Sequence, residues 1–127
     1  MASFCCLLFI VLWYLCFGED YKDCTGYLSC EGDIYCDSND DCRFYCIGVE
    51  ACQSLIAHCP DNYECYLQCI GQRSCQNMTV HGGEGGNILI WCEDVNTCVD
   101  GIVYGSNADE LTFQECEEGT IYIVHKI

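Results

Sequence analysis

The chain has 127 residues, 20 acidic against four basic, and a formal net charge of −16. A field of that sign repels nucleic acid and anionic membranes, which excludes both as partners of the exported protein. Sixteen cysteines in so short a chain point to a single domain held by disulfides in an oxidising compartment.

Residues 1–18 read as a secretory signal. Cys5 through Phe17 are almost wholly apolar, too short to span a bilayer comfortably, and end at Gly18 before Glu19 and Asp20. No Lys or Arg precedes the apolar run, so an uncleaved anchor is the alternative. Cleavage removes Cys5, Cys6 and Cys16 and leaves residues 19–127 as a cysteine-rich domain. Asn77-Met78-Thr79 is an N-glycosylation acceptor, in keeping with a secretory route.

From Cys24 onward the cysteines fall in pairs six apart: Cys24 with Cys30, Cys36 with Cys42, Cys46 with Cys52, Cys59 with Cys65, Cys69 with Cys75, and Cys92 with Cys98. Equivalent pairs recur every 23 residues, as in Cys46, Cys69 and Cys92; the first coil is one residue short. Other residues share the period. Phe44, Leu67, Ile90 and Phe113 form one apolar column and Ala57, Val80 and Val103 another, while Ile88 and Leu111 replace cysteine in the column of Cys42 and Cys65. Ile121 falls 23 residues after Cys98 and is expected to continue its column.

A fixed period of this length marks a repeat architecture. Each unit holds two short β-like runs: Arg43–Ile47 with Gln53–His58, Tyr66–Ile70 with Gln76–His81, and Leu89–Glu93 with Val99–Tyr104. Gly, Asn and Asp separate them. The expected fold is all-β: a short parallel β-helix, or β-solenoid, of about four to five 23-residue coils stapled by disulfides.

Joint loss of cysteines suggests the connectivity. The partners of Cys59 and Cys65 vanish together in later coils, at Gly82 with Ile88 and Gly105 with Leu111, as expected if each six-apart pair is bonded within its coil. A ladder of bridges between coils is the rival, because stacked Cα atoms about 4.8 Å apart also permit a disulfide. The in-coil scheme leaves Cys116 over, as an intermolecular bridge or an unpaired thiol.

The phrases Cys46-Ile47-Gly48-Val49-Glu50-Ala51-Cys52 and Cys69-Ile70-Gly71-Gln72-Arg73-Ser74-Cys75, with Cys59-Pro60 between them, resemble uncharacterised cysteine-rich β-helical repeat domains in large secreted or surface proteins of protists and algae. The resemblance covers about residues 24–98. It implies fold and an extracellular setting, with no assigned activity. Asp94 departs from it, standing where Gly48 and Gly71 stand.

Four basic residues cannot line a lyase cleft for an acidic sugar, and no pair of the many carboxylates is singled out for glycoside hydrolysis. The chain reads as a non-enzyme without a required cofactor. Tyr35, His58, His81 and Tyr104 share a phase and are expected to stack. Asp41, Glu64, Asn87 and Glu110 form an acidic column that is either a solvated corner or a calcium site with Asp41, Glu64 and Glu110 as ligands.

Both ends of the stack are expected to be open, with Ile121, Tyr122, Ile123 and Val124 as the assembly edge. The reading is a secreted structural protein that self-associates end to end into a filament, coat or matrix, or docks on another extracellular repeat protein. The alternative is a soluble module that binds a cation, glycan or basic partner through its acidic corner.

Overall fold

The computed structural model of the chain describes residues 20–37, 39–94, 96–105, 110–116 and 121–124. The expected signal at 1–18 lies outside the described residues. Ten strands are described: β1 (Asp20–Asp23), β2 (Gly32–Tyr35), β3 (Cys42–Ile47), β4 (Leu55–His58), β5 (Cys65–Ile70), β6 (Thr79–His81), β7 (Asn87–Glu93), β8 (Gly101–Tyr104), β9 (Glu110–Gln114) and β10 (Ile121–Val124).

They form two five-stranded sheets with the orders β1-β3-β5-β7-β9 and β10-β8-β6-β4-β2, and every pairing is parallel. Each coil gives one strand to each sheet, so the chain is a two-sheeted β-solenoid of about four turns. Strict alternation explains which residues point inward. β3 and β7 bury every second residue, the period at which side chains return to one face of a strand. In register, Phe44 stacks on Leu67, Leu67 on Ile90 and Ile90 on Phe113. From the other sheet Ala57, Val80 and Val103 close the core. Burial of each large aliphatic or aromatic member contributes about 1.5–3 kcal/mol.

The second strand of each coil begins later than its apolar run suggests, at Leu55, Thr79 and Gly101. The residues before it alternate into positive φ. Glu50, Cys52 and Ser54 are left-handed, and so are Arg73, Cys75 and Asn77 in the next coil and Asn96, Cys98 and Asp100 in the one after. Each such non-glycine residue costs about 1 kcal/mol. The corner recovers this through hydrogen bonds that run alternately to both neighbouring coils: Cys52 N–H donates to Ser29 C=O, and Ser54 N–H to Gln76 C=O. Asp94, at φ 89°, makes the same turn as Gly48 and Gly71.

Among the described residues, five bridges close within coils: Cys24–Cys30, Cys36–Cys42, Cys46–Cys52, Cys59–Cys65 and Cys69–Cys75, with Cα atoms 5.4 to 6.0 Å apart. The sixth departs from the pattern. Cys92 is bonded to Cys116, with Cα atoms 4.7 Å apart, and Cys98 is the free thiol among the described residues. The in-coil pair Cys92–Cys98 and a leftover Cys116 are therefore both corrected. β9 lies on β7 in register up to Trp91 opposite Gln114. Glu115 then turns at φ 58°, which brings Cys116 back over Cys92 at the spacing of adjacent strands, within disulfide reach.

The last coil is also shorter. β10 pairs Ile121 with Gly101, so Ile121 follows the column of Leu55 and Met78 and not that of Cys98.

Candidate functional site

The C-terminal coil gathers the features that the regular coils lack. Cys98 Sγ lies 2.9 Å from Cys92 Sγ, although Cys92 is bonded to Cys116. Cys98 is fully buried and Cys92 nearly so, whereas Cys116 is partly exposed beyond the end of β9. Burial pushes the Cys98 thiol up to about 12, because a thiolate in an apolar interior loses its hydration. Close by, Trp91 Nε1 donates to Glu115 Oε2 at 3.3 Å.

On the second sheet, β10 is the edge strand. Ile121 is half-buried against the core, while Tyr122, Ile123 and Val124 are 59%, 42% and 40% exposed. Three consecutive exposed apolar residues on an edge are unusual, because an edge offers its backbone groups to any further strand.

At the opposite end β1 is the edge strand of the first sheet, and it carries charge. Asp20 pairs with Cys42 and Lys22 with Phe44, so two charged residues occupy the inward columns of the first coil. They form an ion pair of 3.0 Å, and Asp20 Oδ2 also accepts from the backbone N–H of Asp37 at 2.6 Å. An inward-pointing charge is a recognised device against edge-to-edge pairing. Tyr21 points outward and stacks on Tyr45 with ring centroids 4.6 Å apart.

The acidic column takes a backbone role. Asp41 Oδ1 accepts from the N–H of Glu64 at 2.9 Å, and Asp61 Oδ1 from the N–H of Glu84 at 2.7 Å. Arg43 stands 3.9 Å from Glu64 Oε1 and lies over the Tyr66 ring. Burial, Tyr45 and Glu64 raise the Tyr66 hydroxyl above its ordinary value, against the opposing pull of Arg43. Among the described residues, the groups of three potential ligands that converge are Cys24, Cys46 and Cys52; Cys46, Cys69 and Cys75; and Asp20, Cys36 and Cys42. Every cysteine in them is in a disulfide. Asp41, Glu64 and Glu110 are not brought together in such a group.

Tyr35, His58, His81 and Tyr104 do form one stack, with centroids 4.1, 5.0 and 5.0 Å apart and rings within 10° of parallel. Stacked imidazoles keep their nitrogen lone pairs in parallel planes, so this column packs faces and does not aim ligands at one point. His58 Nε2 instead meets Asp33 Oδ1 at 2.8 Å. Asn77 is exposed at the corner before β6.

The disulfides belong to an oxidising environment. No helix among the described residues is long and apolar enough to cross a membrane. No protein-family model matches the chain, and neither the curated proteins nor the solved structures contain a match.

Proposed function

We propose that the protein is a secreted, non-enzymatic structural protein that assembles into an extracellular coat or matrix through the C-terminal end of its solenoid. The observation that carries this reading is the contrast between the two ends. The first coil turns an Asp20–Lys22 ion pair into its inward columns, whereas the β10 edge offers Tyr122, Ile123 and Val124 to solvent. Head-to-tail addition would bury the ion pair against Leu111 and Phe113, and desolvating charge at an apolar contact is unfavourable. Pairing of C-terminal ends therefore takes precedence over an open filament. The strongly acidic remainder of the surface keeps such units soluble and spaced. Exposed Asn77 leaves room for a glycan on the corner of the third coil.

Sedimentation of the oxidised, mature protein across a hundredfold concentration range tests this, together with electron microscopy. The expected result is a concentration-dependent dimer or small assembly that Ile123→Lys abolishes while the β-rich circular dichroism is kept. A wild-type protein that stays monomeric at the highest concentration overturns it.

A further inference from the structure

The three sulfurs of the C-terminal coil have a chemistry that the five in-coil bridges do not. A free thiol, Cys98, stands 2.9 Å from one sulfur of an existing disulfide, Cys92–Cys116. The alternative bond is one that this fold already makes. Cys92 stacks in register on Cys69, and Cys98 repeats the corner of Cys75, its N–H donating to Ser74 C=O as that of Cys75 donates to Ala51 C=O. The two coils before it close this corner as Cys46–Cys52 and Cys69–Cys75. Both isomers are thus compatible with the backbone of the coil, and they differ in which cysteine is left as a thiol.

We propose that Cys98, Cys92 and Cys116 form a thiol–disulfide relay that converts a buried thiol into a reactive one at the assembly end, making Cys116 a site of mixed-disulfide formation with an external disulfide. In the first step Cys98 gives its proton to solvent, and its thiolate forms the Cys92–Cys98 bond. The electron pair of the broken Cys92–Cys116 bond leaves on Cys116 Sγ, which takes up a proton, so there is no net oxidation. In the second step the Cys116 thiolate attacks a disulfide of the form R–S–S–R, joins one half as Cys116–S–S–R, and releases the other as a thiol. The oxidant is that external disulfide, either a small molecule or one carried by a protein.

Burial divides the roles. Cys98 is inaccessible to an external disulfide and can act only on its neighbour, whereas Cys116 lies at the rim beyond β9. The raised value of the Cys98 thiol leaves little of it as thiolate at neutral pH, which makes the relay slow. A trap for the released Cys116 thiol draws the exchange forward. The chemistry is independent of the assembly reading. A coat built through the C-terminal end and a monomeric protein would both carry out the exchange.

Incubation of the folded, oxidised mature protein with excess glutathione disulfide at mildly alkaline pH, an acid quench and non-reducing peptide mapping test this. The expected product carries glutathione on Cys116 and a Cys92–Cys98 bond, with the five in-coil bridges unchanged. Cys98→Ser should lose the Cys116 adduct by about tenfold or more, because the attacking thiolate is gone. Should that variant fail to fold, Cys116→Ser offers a second reading. Its coil should hold a Cys92–Cys98 bond and take up no glutathione. A parallel sample without glutathione, at high protein concentration, separates the sources: a Cys116-linked dimer that requires Cys98 identifies the external disulfide as one from a second copy. Glutathione on Cys98 with Cys92–Cys116 intact, or no adduct on the folded wild-type chain, overturns the relay.

Discussion

The Asp41 carboxylate accepts a hydrogen bond from the backbone N–H of Glu64, its counterpart one coil further on, at 2.9 Å. Asp61 does the same for Glu84. A side chain here extends the inter-coil ladder past the corner, where the backbone no longer supplies an acceptor. Asp41→Ala should lower the unfolding free energy by about 1 kcal/mol, and Asp41→Asn, which keeps an acceptor, by less. Urea unfolding without reductant measures both.

Leu67 is fully buried between Phe44 and Ile90, in the middle of an inward column. With a coil stacked on each side and disulfides restraining the corners, the site has little room to collapse. Leu67→Ala should cost about 3–5 kcal/mol, near the upper end for such truncations. The same unfolding experiment reads this as a shifted midpoint with a similar slope.

Gly71 sits at φ +118°, and a Cβ on it would stand 2.5 Å from the carbonyl oxygen of Gly48 in the preceding coil. Backbone on backbone cannot yield as a flexible side chain does. Gly71→Ala should destabilise by about 2 kcal/mol or more and lower the yield of correctly bridged protein on oxidative refolding. Asp94→Gly, in the same turn one coil on, should stabilise slightly, since it relieves a positive φ of 89°.

The buried Cys98 thiol links stability to alkaline pH. Its value rises from the ordinary 9.0 to about 12 on folding, so the unfolded chain releases the proton first as pH rises. The contribution is fully present below pH 9 and is lost between pH 9 and 12. By pH 10 the loss from this group is on the order of 1 kcal/mol. Short alkaline unfolding scans should show this fall in wild type and a smaller one in Cys98→Ser, with the raised Tyr66 hydroxyl adding a drop of the same sign.

Much of this fold is legible in the chain itself, for a physical reason. In a parallel stack without register shifts, residues one period apart become direct neighbours, so a spacing of 23 translates straight into columns such as Phe44, Leu67 and Ile90, and into the stack of Tyr35, His58, His81 and Tyr104. A joint loss of cysteines is readable because bonded partners are lost together. The candidate site was legible only in part, because it lies where periodicity fails. Whether Cys92 bonds Cys98 or Cys116 depends on the turn at Glu115, and backbone dihedral angles leave no mark in residue spacing. The left-handed alternation at Glu50, Cys52 and Ser54 is equally silent, since it rests on hydrogen bonds to two other coils.

Composition and period by themselves determined an all-β, disulfide-held solenoid with its inward columns. Tertiary structure alone decided the two ends: Asp20 and Lys22 turned inward at one, and a thiol set beside a disulfide at the other. Interior coils are specified by neighbours like themselves, whereas an end coil has a neighbour on one side only, and local turns decide how its charges and sulfurs lie.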